Sequence, residues 1–346
     1  MLHCHTSKLL WIVLAVSACS PYVYSQDISE FGNGVNAVSA SYQAGLQSVD
    51  AIAAQQRDLR FAADRTRLIL LPGCDQIGPT GKPPRLPDCA IVTFGASSPP
   101  PPNAVQKALT GAASAFDALK SYAAALTALT AANDETALSQ AAQTLTSAAA
   151  GLATAVTKAA PQAAFAKSFV GPACGLLGQG IEAYLDQRRL AVLRNTVPAA
   201  DPVVNDLGQV VAAALLDIRQ QQLRQLGPAM REAAEPLEMP SVQQLSAADY
   251  RTKLSALEVW VAAYTQARAV DPAAAAEAMI AAHHQLAQAL MSNDDQNQAV
   301  LAAVDTFAAS ATQLKAAFQS VSAATSASTT PSKSTGRSKV PGQAQK

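Results

Sequence analysis

Apolar side chains recur along this chain at alternating intervals of four and three residues, the spacing that gathers them on one stripe of an α-helix. The first stripe runs through Phe31, Val35, Val38, Tyr42, Gly45, Val49, Ile52 and Leu59. It predicts a long helix over 27–71, with Asp27 as its N-cap and Pro72-Gly73 as its stop. A second stripe follows at Val105, Leu109, Ala112, Phe116, Leu119, Ala123 and Leu126, with Asn103 placed to cap it. After Asn133-Asp134 comes a third, through Leu138, Ala142, Leu145, Ala149, Leu152 and Val156. So short a connection makes antiparallel neighbours, and 103–158 is predicted to be an αα-hairpin packed beside the C-terminal helices.

The C-terminal helices are expected over 246–324. Tyr250, Leu254, Leu257, Val261 and Tyr264 make one stripe, which stops at Asp271-Pro272. Met279, His283, Leu286 and Leu290 mark the next helix, ending near Asn293-Asp294. Val300, Val304, Phe307, Ala311, Leu314, Phe318 and Val321 mark the last. The match of "SYAAALTALTAANDETALSQAAQTL" to "VWVAAYTQARAVDPAAAAEAMIAAH" hints that a helix pair was duplicated, the second copy again a hairpin.

The middle, 162–235, has another texture. "GPACGLLGQG" spaces its glycines either for close helix contact or as a break, and no strand precedes it to make it a dinucleotide fingerprint. Amphipathic helices are expected in "EAYLDQRRLAVLR" and over 206–226, with Pro236 and Pro240 as a linker or kink. The periods together predict an all-α fold, an elongated antiparallel helical bundle over 27–324. Two segments fall outside the pattern. The loop 72–102 is rich in Pro and Gly, and "SSPPPPN" within it favours polyproline II. The tail 325–346 carries Ser, Thr, Pro and Lys without an acid, a composition that predicts disorder.

Composition sharpens this picture. Of 346 residues 49% are hydrophobic but only 5% aromatic, so alanine supplies much of the core and the helices must approach closely. The net charge of zero argues against a nucleic-acid partner, which a basic surplus would accompany.

The N-terminus carries a targeting signal. Lys8 precedes the apolar run from Leu9 to Val16, which is too short to span a bilayer and has the layout of a secretory signal peptide. Two cleavage sites compete. One falls after Ser25, behind Val23-Tyr24-Ser25. The other lies before Cys19, where Val16-Ser17-Ala18-Cys19 resembles the lipobox of bacterial lipoproteins. That resemblance covers only this segment. It implies a signal peptide of residues 1–18, acylation of Cys19 and a lipid-anchored tether over 19–26. With Ser20 after the cysteine instead of aspartate, it also implies the periplasmic side of the outer membrane.

Such a compartment permits disulfides. Cys74 and Cys89 bracket a loop whose closure is worth about 3 kcal/mol in the chain-entropy model, with Cys174 as a rival partner.

Candidate chemistry is sparse. No G-x-S-x-G, phosphate loop or H-E-x-x-H occurs. His283 falls on an apolar stripe, where a satisfied core histidine is the simpler expectation. His284 points about 100° away, so the pair does not chelate one metal. Arg188, Arg189 and Arg194 form either an anion site or a solvated face paired with Glu182 or Asp186. An enzyme would need His283, Glu277 and Tyr264 to converge. The expectation is an envelope-anchored structural or protein-binding adaptor, with no catalysis, cofactor or metal. Its partners are the membrane, through the lipid, and another envelope protein. The alternative is a binding module for a small apolar ligand or lipid.

Overall fold

Helices whose seams are mostly alanine gain burial by lying close along their lengths, and the computed structural model has that form. It describes residues 24–63, 68–70, 91–93, 104–159, 181–292 and 296–328. Seven α-helices hold most of them: α1 Ser25–Ala63, α2 Ala104–Ala131, α3 Glu135–Ala159, α4 Ile181–Glu238, α5 Ala247–Ala269, α6 Pro272–Met291 and α7 Asn297–Ser328. A 3-10 turn, Pro240–Gln244, joins α4 to α5. The all-α class stands.

The first helix differs at both ends from the 27–71 span. It begins at Ser25, so Asp27 lies inside its first turn, and it stops at Ala63. Leu68–Leu70 is a strand, β1, paired antiparallel with β2, Ile91–Thr93, with Leu70 opposite Ile91. Leu68-Ile69-Leu70 is apolar at every position and has no polar face to turn outward as a helix. Its partner holds two β-branched residues, Val92 and Thr93, beside Ile91, which suits a ladder.

Side-chain contacts give the helix directions. Gly34 faces Phe307 and Gly45 faces Phe318, so α1 and α7 run parallel. Gly45 also meets Ile218 of α4, while Gln222 Nε2 donates to Ser48 Oγ (2.7 Å) and Gln56 Nε2 to the Gln225 carbonyl (2.7 Å). Helix α4 therefore runs with α1. Helix α2 runs against it, with Gly32 on Ala123 and the Tyr42 ring stacked on Phe116 at 4.2 Å. The hairpin of α2 and α3 is present, its second helix started by the Ala137 amide donating to Asp134 Oδ1 at 2.8 Å. Its neighbours correct the sequence reading: it packs on α1 and α4, and meets the C-terminal helices mainly where Tyr122 reaches His283.

Helix α4 is one element where two middle helices were expected. It continues through Pro198, Pro202, Pro228 and Pro236, so its 58 residues span about 87 Å. Each proline forfeits a backbone hydrogen bond. Burial offsets the loss: Val197, Ala200, Val204, Leu207 and Val211 are all fully buried.

The expected second hairpin does not form. Arg219 of α4 donates from Nε to the Ala267 carbonyl (3.0 Å) and from Nη2 to that of Arg268 (2.7 Å), at the end of α5. Asp201, farther back along α4, meets His283 of α6. Both helices thus run against α4, one behind the other. The break between them is short: Val270 and Asp271 are extended, Asp271 accepts from the Ala273 amide, and Pro272 restarts the helix. A duplicated hairpin finds no support in this arrangement.

Two buried clusters result. The larger draws on α1, α2, α3, α4, α6 and α7, and includes every residue of the predicted last stripe except Val321. The smaller joins Ile52, Leu226, Ala229, Trp260, Ala263, Ala267, Val321 and Ala324 at the far end of α4. There α5 buries Trp260, Ala263 and Ala267, leaving Tyr250 41% and Val261 46% exposed, contrary to the predicted stripe. Among the described residues no helix is long and apolar enough to cross a membrane.

Candidate functional site

The polar groups that converge most closely lie where α2, α4 and α6 meet. Helical spacing sets His283 inward with Met279, Leu286 and Leu290, all buried. Its ring is fully buried, lying 5.9 Å from that of Phe31 and 5.7 Å from that of Tyr122. The Tyr122 hydroxyl is 3.0 Å from His283 Nε2, and His283 Nδ1 is 2.8 Å from Asp201 Oδ1. The other carboxylate oxygen of Asp201 lies 2.7 Å from His284 Nδ1, and His284 Nε2 is 2.8 Å from the Gln288 amide nitrogen.

Electrostatics orders the protons along this chain. Burial, with the Asp201 charge added, pushes the Tyr122 phenol far above its usual range, so it keeps its proton and donates to His283 Nε2. His283 must then carry its hydrogen on Nδ1 and give it to Asp201. Burial opposes ionisation of Asp201, but hydrogen bonds from both histidines outweigh it and hold the carboxyl below its ordinary value. An amide N–H facing His284 Nε2 matches the same tautomer on His284. One carboxylate thus orients two imidazoles, which differ in access: His283 is sealed, while His284 is 51% exposed.

A carboxylate, imidazole and hydroxyl in series have the order of a proton relay. Here the hydroxyl end faces the core, since Tyr122 is fully buried, and solvent reaches the network from the other end, at His284 and in part at Asp201. The arrangement ties three helices by polar bonds. His283 is a satisfied core histidine, as its stripe position implied. The enzyme-like trio does not assemble: His283 turns to Tyr122 and Asp201, while Tyr264 packs on the far cluster beside Trp260. Among the described residues no three His, Cys, Asp or Glu side chains group to hold a metal.

The arginines lie at the C-terminal end of α2. Arg189 is buried, bonds Asp186 and donates to the carbonyl of Ala132 just beyond α2. Arg188 pairs with Glu135 at the start of α3 (2.9 Å) and with the Tyr184 hydroxyl (3.2 Å). Both brace the hairpin corner, whereas Arg194 is exposed. The Asp186 pairing was one of the two expected, but Arg189 is buried and does not lie on the solvated face foreseen for it. Cys19, Cys74, Cys89, Cys174 and residues 329–346 lie outside the described residues, whereas 325–328, expected to open a disordered tail, continue α7.

Sequence reasoning missed Tyr122 and Asp201. Asp201 sits in "PAADPVV", between the two middle helices expected from the sequence, and nothing local marks it as facing a histidine 82 positions away. No protein-family model matches the chain, and no curated protein or solved structure matches it.

Proposed function

We propose that this protein is an envelope-anchored helical lipoprotein that acts as a structural or protein-binding adaptor without catalysis of its own. Cys19 carries the lipid, on the periplasmic side of the outer membrane. The observation that supports the anchor is Tyr24. It packs against the main core cluster one residue before α1 begins. Cleavage after Ser25 removes a residue the fold uses, whereas cleavage before Cys19 keeps it and leaves residues 20–23 as the link. A diacylated and amide-acylated cysteine would hold such a chain firmly, since each buried methylene contributes about 0.8 kcal/mol.

The adaptor role is supported by where the polar groups go. The convergent Tyr122, His283 and Asp201 bond one another inside the bundle, while α5 turns apolar side chains to solvent. A Cys74–Cys89 disulfide belongs to the same reading, because the β1–β2 register pairs Leu70 with Ile91, four residues before one cysteine and two after the other.

Intact mass and fractionation test the anchor. Mature wild type should begin at an acylated Cys19 and pellet with membranes, and Cys19→Ser should lose the acyl mass with its helix content unchanged. A wild-type protein that starts at Gln26 would end the reading. Co-purification from detergent-solubilised envelopes tests the adaptor role through the identity of the partner.

A further inference from the structure

We propose that the exposed stripe of α5 is a seam on which a second copy of this chain packs in parallel. Tyr250, Leu254, Leu257 and Val261 follow each other at intervals of four, three and four, the d-a-d-a positions of two heptads. None of the four is buried, and Tyr250 and Val261 are more than two-fifths exposed. The helix meets its own bundle on a different face, through Trp260, Ala263 and Ala267. At 100° per residue the two faces are centred about 115° apart, so α5 can serve both at once.

Charge selects the occupant. Lys253 and Glu258 flank the stripe on opposite sides, at g and e positions five residues apart. In a parallel pair that is the spacing at which g of one helix meets e of the next heptad on its partner. Two copies therefore form two Lys253–Glu258 pairs related by the two-fold axis, with Leu254 on Leu254 and Leu257 on Leu257 between them. The same axis puts the two bundles on opposite sides of the seam, where they do not collide. It also points both N-termini the same way, as two chains anchored in one leaflet require. That last agreement rests on the proposed anchor, whereas the seam itself does not.

Two heptads are short for a free-standing coiled coil. Association is accordingly weak in dilute solution and strengthens where copies share a surface and their effective concentration rises.

Cysteine cross-linking decides the matter, on purified full-length protein with its native anchor and, separately, on Cys19→Ser protein at high concentration. Loss of membrane attachment and loss of the seam are then read independently. Leu254→Cys should give an oxidised dimer whose peptide map shows a 254–254 junction. Val261→Glu in that background should lower its yield at least ~10-fold, without shifting the melting temperature because Val261 lies at the surface. Glu258→Lys should weaken it, and Lys253→Glu with Glu258→Lys should restore it. A yield indifferent to Val261→Glu overturns the proposal. So does a mixture of Leu254→Cys and Leu257→Cys chains that joins mainly 254 to 257, the antiparallel signature.

Discussion

The hydroxyl of Tyr122 on α2 donates to Nε2 of His283 on α6 across 3.0 Å, and neither side chain reaches solvent. Removing that donor leaves a buried ring nitrogen without its bond. Tyr122→Phe keeps the packing and should cost about 1–3 kcal/mol by urea denaturation. A loss below a few tenths would show that the bond contributes nothing net.

Asp201 carries a pH dependence of definite sign. Its folded carboxyl titrates below the ordinary 3.8, so the stability it confers is present above that value and is lost as pH falls through the folded one. Asp201→Asn should therefore be less stable than wild type by about 1–3 kcal/mol at pH 7. The gap should begin to narrow as pH falls below about 4 and close once it passes the folded value. A gap that persists unchanged at pH 3 would remove the ionised carboxylate from the account.

Asp27 has the opposite sign. Burial, followed by the charges of Glu30 and Asp305, raises its carboxyl from 3.8 to about 6. The protonated folded form is favoured, so a penalty grows as pH rises through that interval and is complete above about 6. Asp27→Asn should stabilise the protein by about 1–2 kcal/mol at pH 7.5, and by nearly nothing at pH 3.5. Thermal melts at the two pH values check it.

Gly34 is the seat of the Phe307 ring, and a Cβ there would collide with it. Gly34→Ala should cost about 1–3 kcal/mol despite alanine's better helix propensity. Phe307→Leu in the same chain should recover part of that loss, so a double-mutant cycle should show the two as coupled.

The paired cysteines should appear in non-reducing peptide mapping as one Cys74–Cys89 cross-link. Complete alkylation of both thiols without prior reduction would refute it.

Periodicity carried most of the fold. The stripe from Val300 to Val321 is buried throughout, because a helix facing one core needs only the 3.6-residue period to reveal its inner side. The same logic placed His283 inward. It failed on α4, where Pro198 and Pro202 signal a break that burial of Val197, Ala200 and Val204 overrides. It also failed on α5, since a heptad seam does not say whether it faces the chain's own core. Asp201 could not be read at all: its partners are set by the register of α4 against α6, a tertiary quantity with no local trace.

The end-to-end placement of α5 and α6 along α4 divides the molecule's resistance to opening. The far cluster holds eight buried residues, four of them alanines, beneath a helix with a half-exposed stripe. The near cluster is built around Phe31, Tyr42, Tyr122 and Phe307 and has polar cross-ties. Local opening free energies follow such differences in burial. Amide exchange should release α5 and the end of α4 well before the neighbourhood of His283, so the proposed dimer surface belongs to the part of the chain that yields first.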